Sequence, residues 1–160
     1  MVRRMLVTAL ITLVCALGGV ATAGPLGLGI MVGEPTGISV KLWTGHGTAM
    51  DLGAAWSFAD EVAFHVHADY LMHWPGPTEI NVGGLLFYAG LGGRIKLEED
   101  SNRAGVRIPL GVTYLFSHSH LDFFLEIAPI LDLAPDTELR GNGGFGIRYY
   151  FGGRPHSRKA

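Results

Sequence analysis

From Gly144 to Phe151 apolar and polar positions alternate without a break. Phe145, Ile147, Tyr149 and Phe151 fall on one face, and Gly144, Gly146, Arg148 and Tyr150 on the other. Strand side chains point to opposite faces with period two, so this segment reads as a strand with one apolar and one polar face. The same split recurs in seven earlier segments, and no stretch holds a 3.6 period as well as it holds a 2.0 period. The pattern predicts strands at 26–33, 37–43, 49–58, 62–74, 85–97, 104–116, 121–133 and 142–151. Turn chemistry separates them, including Gly33-Glu34-Pro35-Thr36, Pro75-Gly76-Pro77 and Ser117-His118-Ser119-His120. The expected fold class is all-β, an eight-stranded antiparallel up-and-down transmembrane β-barrel.

The orientation of the two faces follows from side-chain size. In the seventh segment Leu121, Phe123, Leu125, Ile127, Pro129, Leu131 and Leu133 share one face, and Asp122, Phe124, Glu126, Ala128, Ile130 and Asp132 the other. Gly27, Gly29, Gly53, Gly90, Gly92, Gly111, Gly144 and Gly146 lie on the polar face. An eight-stranded barrel crowds its interior, so the small residues belong inside. The apolar face carries large side chains at successive positions, which suits a lipid-facing band. Aromatics gather near strand ends as an interface girdle requires: Trp74, Tyr114, Phe116, Tyr149 and Phe151 at one end, Trp56 and Phe58 at the other. The alternative is a soluble, lipocalin-like ligand-binding barrel with its apolar face inside.

Targeting signals agree with the membrane reading. Arg3 and Arg4 precede an apolar run, and Ala21-Thr22-Ala23 has the form of a cleavage site. Residues 1–23 are therefore expected to be a signal peptide, 24–151 the barrel and 152–160 a short polar tail. Cys15, the single cysteine, lies within the signal, so no disulfide or Cys-based metal site is expected in the barrel. Without Arg3 and Arg4 the twelve Lys and Arg fall to ten against fourteen Asp and Glu, a net charge of −4. No basic patch suggests nucleic acid.

The inward face predicts a charge network. Its basic members are Lys41, Arg94, Lys96, Arg107 and Arg148; its acidic members are Asp51, Asp69, Asp122, Glu126 and Asp132. Unpaired buried charge is costly, so a balanced set implies mutual pairing and a side-chain-filled lumen. A narrow channel is the alternative. His65, His67 and Asp69 alternate on one face and form a weak metal-site candidate. The favoured reading makes them hydrogen-bonding lumen groups, with no metal and no cofactor. Ser117-His118-Ser119-His120, with Glu126, raises a membrane-embedded lipid-modifying enzyme as a further alternative; a polar turn is favoured, and no catalytic residue is assigned. Glu34, Asp60, Glu61, Glu98, Glu99, Asp100, Asp136 and Glu138 fall at turns placed on the outer side. They read as solvated loops, or as oxygen ligands for divalent cations among lipopolysaccharide phosphates.

With a signal peptide, eight amphipathic strands and the closing run Gly146-Ile147-Arg148-Tyr149-Tyr150-Phe151, the chain resembles the small outer-membrane barrels of the OmpX and OmpA transmembrane-domain type. The segment Gly33-Glu34-Pro35-Thr36-Gly37 also resembles a poorly characterised family of small bacterial outer-membrane barrels. The tail after Phe151 departs from relatives that end at the aromatic. The resemblance implies a bacterial outer-membrane location and a monomer among membrane lipid and lipopolysaccharide. It also implies recognition of the C-terminal strand by the assembly machinery. A structural or surface-contact role in the envelope is the function expected.

Overall fold

The computed structural model describes residues 24–34, 36–57, 63–80, 83–97 and 102–153. The signal-peptide expectation for 1–23, most of the expected tail, Phe58 and much of the acidic loop set lie outside the described residues. The described part forms β1 (Leu26–Glu34), β2 (Gly37–Trp43), β3 (Thr48–Ser57), β4 (Ala63–Ile80), β5 (Gly83–Leu97), β6 (Asn102–Arg107), β7 (Leu110–Phe116), β8 (Leu121–Ala134) and β9 (Glu138–Phe151). Apart from β6 and β7, which each pair with β5 and β8 and not with one another, successive strands pair antiparallel, and β1 pairs with β9, so one sheet closes on itself as a barrel.

Nine strands occupy eight places in the ring. β6 and β7 both lie between β5 and β8. The single strand expected at 104–116 is thus broken at Ile108-Pro109. Pro109 has no N–H to offer β5, and Pro129, opposite Ile108, has none to offer in return. The bonds that survive run from Gly90 N–H to the Pro109 carbonyl at 2.9 Å and from Ile108 N–H to the Pro129 carbonyl at 3.0 Å. Register on β5 is unchanged across the break, with Gly92 opposite Arg107 and Ala89 opposite Leu110.

The turn expected at Pro75-Gly76-Pro77 is also not a turn. β4 and β5 run on past it to the pair Ile80 and Gly83, with a register shift between Pro75 and Glu79. A bulge absorbs the two prolines, which cannot donate to a ladder.

Stagger fixes the barrel's shape. The row starting at Arg148 passes through Gly29, Ser39, Gly53, His67, Arg94, Gly105 and Asp132. It returns to β9 at Glu138, ten residues from where it left. Such a stagger corresponds to strands tilted by about 40°.

β8 shows which face is inside. Asp122, Phe124, Glu126, Ala128, Ile130 and Asp132 are at most 6% exposed, whereas Phe123, Leu125, Ile127, Leu131 and Leu133 are at least 42% exposed. The charged face is the interior and the apolar face the exterior, the reverse of a lipocalin-like barrel. Glycines make room for the interior side chains. A Cβ on Gly27 would lie 2.6 Å from the Tyr150 ring, and one on Gly146 2.6 Å from the Phe124 ring.

Candidate functional site in the lumen

Three arginines gather all five inward carboxylates. On β9, Arg148 Nε donates to Asp122 at 3.1 Å, and its Nη1 donates to Asp51 Oδ2 at 3.1 Å and Ser39 Oγ at 3.3 Å. Its guanidinium lies 3.9 Å from the centre of the Phe124 ring. Tyr150 O–H donates to the same Asp122 at 2.6 Å. On β6, Arg107 donates from Nη2 to Glu126 and sets Nε 3.3 Å from Asp69 Oδ2. Tyr88 O–H donates to the other Glu126 oxygen at 2.9 Å. On β5, Arg94 grips Asp132 with two bonds, 3.0 Å from Nε and 2.6 Å from Nη2. A planar guanidinium presents several donors at once, so one arginine can bridge carboxylates from separate strands.

The lysines take other places. Lys41 is fully buried but meets no carboxylate among the described residues. Its Nζ lies 2.7 Å from His73 Nε2 and near the rings of Trp43 and Tyr88, 5.1 and 4.9 Å from their centres. Lys96 is half-buried, opposite His65 on one side and Arg103 on the other. Of the basic residues expected to pair, Arg94, Arg107 and Arg148 hold the five acids, with Arg140 also 3.6 Å from Asp132, while Lys41 is held by an imidazole and two ring faces.

Near the end where β1 begins and β9 finishes, Trp43, Ala49, Leu86, Leu115 and Tyr150 form an apolar cluster across the lumen. Outside the same end, Trp74, Phe116, Tyr149 and Phe151 are exposed and Tyr114 is half-exposed. Tyr114 packs edge-on to Phe116, and Tyr149 to Phe151, with ring centres 4.9 and 5.0 Å apart. Trp56 lies in β3 toward the opposite end.

The other sequence candidates separate. His65 and His67 have ring centres 5.5 Å apart at right angles, and His67 Nε2 is 4.0 Å from Asp69 Oδ2. Among the described residues no group of three or more His, Cys, Asp or Glu is arranged to hold a metal ion. The Ser117–His120 stretch is the turn between β7 and β8, where the His120 carbonyl accepts from Tyr150 N–H at 2.7 Å. Glu126 is taken by Arg107 and Tyr88 inside the lumen. Tyr88, Tyr150 and Ser39 join this network although none is among the charged residues that the alternation singles out. Their period-two placement on the inward face was the available signal for their polar role.

No protein-family model matches the chain, and no curated protein does. Among solved structures, the chain is similar to the N-terminal beta-barrel domain of Pseudomonas aeruginosa OprF, with a TM-score of 0.56. The match covers 79% of this chain and 96% of that one at 12% identity. What the two share is the fold, a closed antiparallel β-barrel.

Proposed function

We propose that the chain is an integral bacterial outer-membrane β-barrel with a filled lumen and a structural or surface-contact role in the envelope. One observation carries this reading: the outward face is apolar on every strand. Leu28, Ile30, Leu91, Ile95, Leu125 and Ile127 are among its exposed residues, and each is 48% or more accessible. A continuous exposed surface of this kind is unfavourable in water and favourable against lipid. The inward charges support a filled lumen, since each arginine and each carboxylate has an opposite charge beside it. Membrane lipid and lipopolysaccharide are the partners this surface suits, and the exposed edge of aromatics at β9 suits the barrel-assembly machinery.

Heat-modifiable gel mobility of the purified outer-membrane fraction tests location and closure together. The folded barrel should migrate faster unheated than boiled. Recovery as a detergent-free soluble monomer would overturn the reading.

A further inference from the structure

The outward apolar face is not of one height. On β8 it runs from Leu121 to Leu133, and on β9 it reaches Leu139, 76% exposed and opposite Leu131. On β2 it holds only Ile38, Val40 and Leu42, between Thr36 in one turn and Thr44 in the next. The Thr44 hydroxyl lies 3.1 Å from that of Thr48, the first residue of β3, so polar groups close this end of both strands. On β1 the apolar run from Leu26 to Val32 gives way to Glu34, which is exposed.

A strand advances about 3.3 Å per residue, and a tilt of about 40° leaves about 2.5 Å of that along the barrel axis. Leu121 to Leu133 thus covers about 30 Å, enough for a hydrocarbon core. Ile38 to Leu42 covers about 10 Å, and even Thr36 to Thr44 only about 20 Å.

Register sets these runs side by side. The row of Ile38 passes through Ile30 and Ile147 to Phe123 on β8, three places away. Stagger shifts the level by a little over one residue per strand, about four over three strands. Ile38 is therefore level with Ile127, in the middle of the β8 run, and Leu42 with Phe123 near its end. Glu34, two places from β8 through Gly143 and Ile127, is level with Pro129, while Leu131 and Leu133 rise above it.

A flat bilayer that covers β8 would hold Glu34 and Thr36 inside its hydrocarbon, where a carboxylate is costly. Tilting the barrel does not remove the mismatch, because tilt moves both edges of the β2 run together. Lifting Glu34 clear would draw Thr44 and Thr48 into the core. A short apolar span is met by thinning of the lipid beside it. We infer that the barrel thins the bilayer along its β1–β3 flank, so that this flank is covered by lipid of reduced thickness and the β8–β9 flank by lipid of full thickness. The inference rests on the outer-membrane reading and adds to it a sided contact with lipid.

The test attaches one thiol-reactive fluorophore at a time, in a Cys15→Ser background, through Ile38→Cys, Ile127→Cys, Leu42→Cys or Phe123→Cys. Each protein is folded into phosphatidylcholine vesicles whose acyl chains carry bromine either near the headgroup or near the methyl end, with heat-modifiable mobility as the check on folding. The probe at Ile38 should be quenched more by the shallow bromine and the probe at Ile127 more by the deep one, although the two are level on the barrel. Those at Leu42 and Phe123 should both be shallow. Equal depth at Ile38 and Ile127 means a flat bilayer and overturns the inference. A shallow Ile38 with a deep Leu42 means a tilted barrel and overturns it as well. Quenching at Ile127 and Phe123 but at neither Ile38 nor Leu42 means that a second copy covers the flank in place of lipid, which also overturns it. No quenching at any position sinks the outer-membrane reading itself. Val40→Cys and Leu125→Cys, the next level pair, stand in for the first pair should either variant fail to fold.

Discussion

Arg148 on β9 donates from Nε to both carboxylate oxygens of Asp122 on β8, at 3.1 and 3.3 Å. The two are direct cross-strand partners, and neither is more than 1% exposed. Because Arg148 also reaches Asp51 on β3, a single guanidinium ties the closing strand to two others from within. Closure in the backbone between β1 and β9 is thus backed by a polar tie through the lumen.

Removing one member of that tie should cost far more than removing a pair. Arg148→Leu leaves Asp122 and Asp51 without their cation, and a loss on the order of 3–5 kcal/mol is expected. Glu126→Leu should act similarly by leaving Arg107 with Asp69 alone. In Arg148→Leu/Asp122→Leu the two losses should not add, since the residues share one interaction. Urea unfolding in lipid vesicles measures all three. Negligible change across the single variants would mean that lumen water solvates these charges.

The exterior makes the opposite demand. Leu110, midway along the ring place shared by β6 and β7, and Leu125 in β8 are 39% and 51% exposed. Arg at either position should destabilise folding into bilayers by about 2–4 kcal/mol, while remaining tolerable on a surface facing water. Equal folding of Leu110→Arg, Leu125→Arg and the parent in vesicles would remove the lipid-facing assignment.

Period-two alternation made the ring and its polarity legible, because each strand carries its face assignment in its own residues. Asp122 to Asp132 on β8 needed no partner to be placed inside. Pairing was not legible: which carboxylate meets Arg107 depends on register across three strands, and register leaves no local mark on the sequence. The interruption at Pro109 was hidden for a related reason. Pro109 removes a donor toward β5, and Pro129, opposite Ile108, removes one toward the same stretch from β8, so the two losses coincide only once register is set. Lys41 lies opposite Asp51 across the β2–β3 ladder, but Arg148 occupies Asp51 and the lysine turns to His73.

Glycine positions should divide sharply. At Gly146 an added side chain meets the Phe124 ring and the backbone of β1, whereas at Gly141 no atom lies within 4 Å. Gly146→Val should lose about 1–3 kcal/mol or more through overpacking, and Gly141→Val should stay within about 0.5 kcal/mol of the parent. Similar effects of the two substitutions on urea midpoint would contradict the packed interior.

His65, His67 and Asp69 should not form a zinc site of useful affinity. Their imidazoles stand at right angles, and Asp69 lies against the Arg107 guanidinium, whose charge opposes a cation there. Calorimetric titration of the detergent-folded protein with Zn²⁺ should show no site that a His65→Ala/His67→Ala variant removes. Micromolar binding lost in that variant would reverse this assignment.

The lumen should also fail to carry ions from end to end. An ion entering from the β8–β9 side would meet His65, His67 and Arg107 and then Arg148, Tyr88 and Phe124, all at most 5% exposed. Beyond them Trp43, Leu86, Leu115 and Tyr150 close the passage with largely apolar surface, which does not replace an ion's hydration shell. A lumen packed in this way is incompatible with conduction. Planar-bilayer recordings of the wild type should show no steady, large single-channel currents. Trp43→Ala with Leu115→Ala removes bulk from the closing layer without touching the arginine clusters, so small cation or anion currents should emerge there first. Large steady currents from the parent protein would sink the filled-lumen reading and put a channel in its place.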